Sequence, residues 1–244
     1  MIIAYAKSDV GKAREMNQDA YYISDSSSDV KLYLLADGMG GYKGGEIASQ
    51  LAIKCTRNYI ENNLKDTPKD RESLLQLIAS SMEYANMVIY EKSKENKELE
   101  GMGTTLEVCL IYNNKAYIGH IGDSRIYRIR KTFIRKLTTD HSYVQKLVKD
   151  GTITKEEAEV HPKKNMLLKA LGCNAFVEPD VAVKGFLKED ILLISSDGLT
   201  NMVKQDDIFQ IATGNIEKAP QRLVDLANEN GGMDNITVVI IKNI

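Results

Sequence analysis

Four aspartates stand at or near the ends of stretches that are predicted to be buried strands. They occur in the dipeptides Asp37-Gly38, Gly122-Asp123, Asp197-Gly198 and Asp234-Asn235. One such dipeptide is weak evidence, because Asp and Gly are both favoured in ordinary turns. Four are harder to explain in that way, and carboxylates brought together repel one another unless a cation compensates their charge. The pattern therefore predicts a shared metal site.

The ligand types favour a hard divalent cation. Carboxylates with backbone carbonyls and water, without His or thiolate, suit Mg²⁺ or Mn²⁺. The three His residues all lie outside these dipeptides. Two such ions roughly 4 Å apart can share a carboxylate, activate water at neutral pH and hold both the attacking and the leaving oxygen. Hydrolysis of a phosphate ester is the reaction that this arrangement suits best.

Arg14 is the candidate phosphate-binding residue, because a guanidinium group binds phosphate oxygens in a bidentate manner. The alternative is a surface ion pair with Glu15 or Asp19, which is common and weak. Motifs for other phosphate chemistry are missing. Asp37-Gly-Met lacks the second Asp of an aspartyl-phosphate phosphatase, no Cys is followed by Arg six residues later, and residues 38–45 contain no Gly-Lys-Ser/Thr.

Nine short segments carry a more specific signal. They are GKAREMNQD (11–19), ADGMGG (36–41), GGEIA (44–48), GTT (103–105), GHIGDSR (119–125), TDHS (139–142), ALG (170–172), SSDGL (195–199) and DNITV (234–238). In this order, over nearly the whole chain, they resemble the metal-dependent protein serine/threonine phosphatases of type 2C in their compact bacterial form. No single segment is specific, but the set is.

The resemblance implies an α+β fold, a four-layer αββα sandwich of two antiparallel β-sheets flanked by α-helices, with the metal centre at one end. In the core site Asp37 would bridge two ions, Mn²⁺ or Mg²⁺, and the Gly38 carbonyl would ligate one of them. Asp197 and Asp234 would complete the shell of the other. Asp19 would act mainly through coordinated water.

The same resemblance assigns the remaining roles. Asp123, with Asp197, matches a third and weaker ion site, although Asp123 could instead cap a tight turn. Arg14 would hold the phosphate. The implied mechanism is direct in-line attack on phosphoserine or phosphothreonine by a hydroxide that bridges the two ions. The alternative is a pseudophosphatase, or a phosphoprotein-binding module without hydrolysis.

The donor of a proton to the leaving group is left unassigned by the sequence. Relatives carry His where this chain has Met39 and Tyr42; Met39 cannot donate, and Tyr42 is a weaker candidate than water on the metal. His120, His141 and His161 are expected to be buried or capping residues more often than catalytic ones, because geometry must come before residue type.

Apolar periodicity predicts the elements around these residues. Spacing typical of helices covers 45–62 and 72–94, and alternation from 104 onward predicts a three-strand antiparallel meander over 104–112, 115–121 and 124–131, with Asn113-Asn114 as a hairpin turn. Ser142 and Thr154 are expected to cap short helices at 143–149 and 155–160. The segment at about 138–172 matches a flap beside the active site, either a movable lid or a rigid insert.

Composition limits the partners. No linker interrupts the 244 residues, so we expect one catalytic domain over 1–244. The net charge of −2 disfavours nucleic acid, and the basic run 125–136 either decorates a strand or recruits acidic substrates. Without a leader or a long apolar run, we expect no membrane partner and a cytoplasmic monomer with reduced thiols. Its partners would be phosphorylated proteins, namely the substrates of a Ser/Thr kinase and the kinase itself.

Overall fold

Two antiparallel β-sheets face each other in the computed structural model, which describes residues 1–40, 44–95 and 97–244. The first sheet contains β1 (Ile2–Asp9), β7 (Arg125–Arg130), β8 (Phe133–Lys136), β10 (Ile191–Ser195) and β11 (Ile236–Asn243), in the order β1-β11-β10-β7-β8. The second contains β2 (Asp19–Ile23), β3 (Lys31–Met39), β5 (Leu106–Tyr112), β6 (Lys115–Ile121) and β9 (Asp180–Gly185), in the order β2-β3-β5-β6-β9. The short β4 (Gly103–Thr104) pairs with the end of β3.

Helices cover the outer face of each sheet. The long helices α1 (Gly44–Asn63) and α2 (Arg71–Glu95) pack on the second sheet, and α6 (Gln205–Ala212) and α7 (Ala219–Glu229) pack on the first. Three shorter helices are α3 (Tyr143–Lys149), α4 (Lys155–Val160) and α5 (Asp197–Thr200). Among the described residues, none of the helices combines the length and the apolar character that a bilayer crossing requires.

The central strands are buried on both faces, which explains why their sequences are continuously apolar. In β3, Leu32 and Leu34 face the α1–α2 layer, whereas Tyr33 and Leu35 lie in the cluster between the two sheets. This alternation follows from the two-residue period of a strand. The same division into three apolar clusters runs through the molecule. The predicted four-layer αββα sandwich is confirmed.

The predicted three-strand meander is wrong in its third strand. The turn at Asn113 and Asn114 has φ values of 46° and 56°, so β5 and β6 form the expected two-residue hairpin. β7, however, pairs with β8 and β10 in the other sheet. Gly122 has φ of +111°, and a Cβ there would lie 2.4 Å from Thr105 Cγ2. The chain therefore crosses between the sheets at a close-packed glycine corner, which strand periodicity does not reveal.

The flap region contains the two predicted helices with their predicted caps. The Ser142 hydroxyl accepts a hydrogen bond from the Gln145 N–H at the start of α3. Thr154 and Glu157 form a reciprocal capping box at the start of α4. Two strands, β2 and β8, were not predicted, and both are short edge strands of their sheets.

Candidate metal centre

The end of β3 places the first two carboxylates side by side. Asp37 pairs directly opposite Asp19 in the β2–β3 ladder, so their Cβ atoms project from neighbouring backbone positions. Gly38 follows, and a Cβ on it would lie 2.1 Å from the Gly45 carbonyl oxygen at the start of α1. Glycine is required here because the strand end and the helix approach at backbone distance. The Asp-Gly order thus has a packing cause in addition to any role in ligation.

Two threonines fix the Asp37 peptide. The Asp37 N–H donates to Thr105 Oγ1 at 2.9 Å, and the Thr105 N–H donates to the Asp37 carbonyl at 2.9 Å. Thr104 Oγ1 donates to the same carbonyl at 2.9 Å. The Thr105 hydroxyl also bonds the hydroxyl of Ser124, the neighbour of Asp123, at 2.8 Å. The two threonines therefore set the Asp37 backbone and tie it to the Asp123 turn.

Asp197 begins α5, directly after β10 and Ser196. Asn201 Nδ2 donates to Asp197 Oδ2 at 2.9 Å. The Ser196 hydroxyl donates to Asp19 Oδ2 at 2.8 Å and accepts from the Thr237 N–H at 2.9 Å. Ser196 thus links the Asp19 carboxylate to the first sheet, a role that could not be predicted from the sequence.

Arg14 and Asp234 meet across 220 residues of sequence. Arg14 Nη2 donates to Asp234 Oδ2 at 2.9 Å, and the two side chains are 54% and 35% exposed. Neither alternative partner considered for Arg14, Glu15 or Asp19, is the one observed. Asp234 Oδ1 accepts from the Asn235 N–H at 2.9 Å. The predicted phosphate-binding residue therefore lies beside a predicted metal ligand.

Asn235 holds the segment that carries Arg14. Its Nδ2 donates to the carbonyls of Val10 and Met16, both at 2.9 Å, and its Oδ1 accepts from the Gln18 N–H at 2.8 Å. Asn235 is buried, so these three bonds occupy an otherwise unhydrated side chain. The sequence offered Asp234-Asn235 as an acidic dipeptide but assigned nothing to the amide.

The corner at Gly122 carries Asp123, and His141 holds it. The backbone N–H of His141 donates to the Gly122 carbonyl at 2.7 Å, and the backbone N–H of Gly122 donates to the ring Nδ1 of His141 at 3.2 Å. Because Nδ1 accepts, the ring proton lies on Nε2, which faces Asp180 Oδ2 at 3.3 Å. His141 thus connects the Asp123 turn to the start of the flap. This particular contact was not predicted, although the sequence placed His141 among the expected buried or capping residues.

Asp37 stands at the electrostatic middle of the cluster. Burial raises the pKa of Asp37 well above the ordinary 3.8, and the charges of Asp19, Asp197, Asp123 and Asp234 raise it further. These neighbours come from different loops and strand ends, so the fold brings together the acidic residues that the sequence singled out. Their mutual repulsion is a cost that a cation would relieve.

The other carboxylates show the same effect. Burial raises the pKa of Asp19 to about 7, and the charge of Asp197 contributes to the rise. Hydrogen bonds from Thr237 and Ser196 act in the opposite direction and lower it. Burial and then Asp197 raise the pKa of Asp123 to about 7. Burial and then Asp234 raise the pKa of Asp197. Asp19 Oδ1 is buried without a hydrogen-bond partner among the described residues, which suits an oxygen that faces an ion or its water.

The donor set fits a hard cation that keeps much of its water. In the described part of the chain, no three His, Cys, Asp or Glu side chains form a complete ligand cluster. Mg²⁺ commonly takes only one or two carboxylates and retains several waters. The carboxylates around Asp37 therefore suit shared and water-mediated ligation better than a closed all-protein cage.

Among the described residues, His120 and His161 hydrogen-bond groups other than the aspartates of the centre. His120 is buried and bonds Glu107 through Nδ1 and the Thr139 carbonyl through Nε2. His161 ends α4 and accepts from the Lys163 N–H. The Met39 methyl group would be 3.0 Å from a Cβ on Gly103. Tyr42, the other candidate for leaving-group protonation, lies outside the described residues.

Comparison with known proteins agrees with this fold. Residues 11–218 match the family model described as protein phosphatase 2C. The protein phosphatase PhpP of Streptococcus pneumoniae is 39% identical over 236 residues, which is 96% of this chain and 94% of the relative. The Streptococcus agalactiae serine/threonine phosphatase structure superposes with a TM-score of 0.92 at 36% identity and covers 100% of both chains. The catalytic domain of PstP, solved with two manganese ions, gives a TM-score of 0.86 at 34% identity over 99% of this chain and 97% of its own.

A two-sheet sandwich with acidic strand ends gathered at one place, matched over its whole length by phosphatases, defines a phosphoester hydrolase. The chain belongs to the protein phosphatase 2C family.

Proposed function

We propose that this protein hydrolyses phosphoserine and phosphothreonine in proteins with the help of two divalent ions, Mn²⁺ or Mg²⁺. Asp37 would bridge the ions, the Gly38 carbonyl would ligate one, and Asp197 and Asp234 would ligate the other. Asp19 would act through water. The observation that supports this most is the gathering of four other aspartates around Asp37, where burial and then their charges raise its pKa, because such a cluster is costly unless cations bind it.

The protein's own groups would hold and orient the reacting phosphate. When bound, a pair of such ions supplies an activated water and neutralises charge on the phosphoryl oxygens. Arg14 is half-exposed beside Asp234, so its guanidinium can turn to the phosphate and position it for in-line attack. Asn235 keeps the Arg14 segment in place through three hydrogen bonds. Thr104 and Thr105 keep Asp37 in register.

Further parts of the proposal come from the sequence. A third ion at Asp123 and Asp197 is supported by the proximity of their charges. The partners of the protein would be phosphoproteins, including the substrates of a Ser/Thr kinase and the kinase itself. Residues 1–244 would act as one catalytic domain and as a monomer. Location in the cytoplasm stays a prediction of the sequence.

A matched set of assays tests the function. Wild-type protein should hydrolyse p-nitrophenyl phosphate and a phosphothreonine peptide with Mn²⁺, and EDTA should abolish both activities. Asp37→Asn should lose at least about a hundredfold in kcat, because a bridging charge acts on the reacting centre itself. Asp29→Asn, an exposed surface change, should match wild type. Activity that survives EDTA would reject the metal mechanism, and phosphopeptide binding without turnover would favour the pseudophosphatase.

A further inference from the structure

A groove leads away from one side of the metal centre. It is a cavity of about 890 Å³ between the flap helices α3 and α4 on one wall and the segment Thr200–Ile208 on the other. Of the described aspartates in the centre, Asp123 and Asp197 line it, whereas Asp37, Asp19 and Asp234 do not. We call this cavity the flap groove. Its volume is near the upper end for ligand pockets and exceeds what a phosphoryl group needs.

The flap groove carries an excess of positive charge beyond the metal centre. Its basic lining residues are Arg125, Lys136, Lys155, Lys164 and Lys204, and the acidic ones apart from Asp123 and Asp197 are Asp140 and Glu159. Five cations therefore face two carboxylates.

Asp140 already has its counter-charges. Arg125 binds it through two nitrogens, with Nη2 2.7 Å from Oδ2, and Lys136 Nζ lies 3.0 Å from Oδ1. Asp140 is 8% exposed, so this pairing is largely withdrawn from water. Burial lowers the pKa of Lys136, and Lys155 is close enough to lower it further. Arg125, Lys136 and Asp140 therefore form a fixed wall of the groove in which two cations engage one carboxylate.

The outer lysines are free to bind a ligand. Lys155, Lys164 and Lys204 are exposed, and in the described ranges none has a carboxylate within ion-pair distance. Glu159 offsets part of this charge but leaves two lysines in excess. Val160, which also lines the groove, is 82% exposed and offers an apolar contact beside them.

We propose that the flap groove binds the stretch of a phosphoprotein that adjoins the phosphorylated residue on one side, and that it selects acidic side chains there. The inference rests on the proposed function, since the metal centre must hold the phosphorylated residue. An extended peptide advances about 3.3 Å per residue, so residues a few positions from the phosphate reach the lysines. Because the groove borders the centre at Asp123 and Asp197 and not at Asp37, Asp19 or Asp234, it reads one flank of the substrate.

Three peptides test the proposal. All three carry the same phosphothreonine with three variable positions on each side. One peptide has Glu at the three positions before it, one has Glu at the three positions after it, and the neutral peptide has Gln at all six; the other variable positions of the acidic peptides are also Gln. Released phosphate gives kcat/KM for each. An exposed charge pair contributes about two- to fivefold, so wild type should favour one of the acidic peptides about tenfold over the neutral one. Raising salt from 50 to 300 mM should reduce this preference.

Lysine variants test whether the flap groove causes the preference for acidic peptides. With Lys155, Lys164 and Lys204 all changed to Gln, the ratio of acidic to neutral peptide should fall to about one. Because the ratio is internal to one preparation, partial loss of folding does not alter it. Changing the same three lysines to Glu should reverse the preference. Lys188→Gln, an exposed lysine outside the groove, should keep the wild-type ratio.

Several results would overturn the proposal. They are a wild-type ratio of one, a preference that persists in the triple Gln variant, or equal preference for both acidic peptides, which would indicate general attraction. Failure to release phosphate from p-nitrophenyl phosphate would refute the proposed function itself and is thus separable from the loss of selectivity.

Discussion

Asp37→Asn should stabilise the metal-free protein while it destroys catalysis. Asp37 is the carboxylate on which the other four charges act. Without ions, Asp37, Asp19, Asp123 and Asp197 each hold a proton more tightly when the protein is folded than when it is unfolded, because burial and then neighbouring charges raise their pKa values. The free energy of unfolding is therefore unaffected by this repulsion below about pH 4 and falls as pH rises toward about 7. Removing the central charge should restore part of that loss.

The size of the effect follows from the neighbours of Asp37. The pKa of Asp19 and of Asp123 rises from 3.8 to about 7, which corresponds to at most about 4 kcal/mol per group above pH 7. The carboxylates are partly exposed, and water there weakens the repulsion. We therefore expect Asn at position 37 to add about 1–2 kcal/mol, or about 2–8 °C in Tm for a domain of this size.

Thermal unfolding with EDTA measures this directly. Wild type, Asp37→Asn and the surface control Asp29→Asn should be compared at pH 8 and at pH 4.5. The increase in Tm for Asp37→Asn should appear at pH 8 and be smaller at pH 4.5, and Asp29→Asn should show no increase at either pH. A Tm for Asp37→Asn at or below wild type at pH 8 would refute the electrostatic reasoning.

Three further changes test the supports of the centre. Asn235→Ala should lower the free energy of unfolding by about 3 kcal/mol, since three buried hydrogen bonds of about 1 kcal/mol each are lost; a urea melt that matches wild type would contradict it. Arg14→Ala should raise KM for p-nitrophenyl phosphate at least about tenfold, with partial recovery in Arg14→Lys, because Lys binds phosphate without the bidentate fork; an unchanged KM would remove Arg14 from phosphate binding. His141→Ala should raise the Mn²⁺ concentration for half-maximal activity about tenfold, as loss of an outer-shell partner does. The control His161→Ala, in the flap, should leave that concentration unchanged. The same Mn²⁺ dependence in His141→Ala and wild type would show that the Asp123 turn needs no such support.

Local signals in the sequence predicted local structure well. The caps at Ser142 and Thr154 and the Asn113-Asn114 turn depend on a few neighbouring residues, and each is present as expected. The acidic strand ends were also found, because buried strands have a recognisable apolar pattern and their ends have turn residues. That these ends meet at one place was inferred from the number and charge of the aspartates and from the family resemblance, since apolar patterns carry no information on which loops meet.

Apart from the short edge strands β2 and β8, the misses are long-range. The crossing of the chain at Gly122 depends on how that glycine packs on Thr105, and periodicity is the same whichever sheet β7 joins. The links made by Ser196 and Asn235 join residues up to 225 positions apart. A Ser or Asn beside an Asp has many local uses, so only the fold shows which one it serves.

The most direct test of the central claim is the location of bound metal. Crystals grown with Mn²⁺ and measured at a wavelength with manganese anomalous scattering should show two peaks roughly 4 Å apart between Asp37, Asp197 and Asp234. Crystals of Asp37→Asn should show no pair of peaks beside residue 37. Peaks absent from these aspartates in an active, Mn²⁺-saturated protein would contradict the claim.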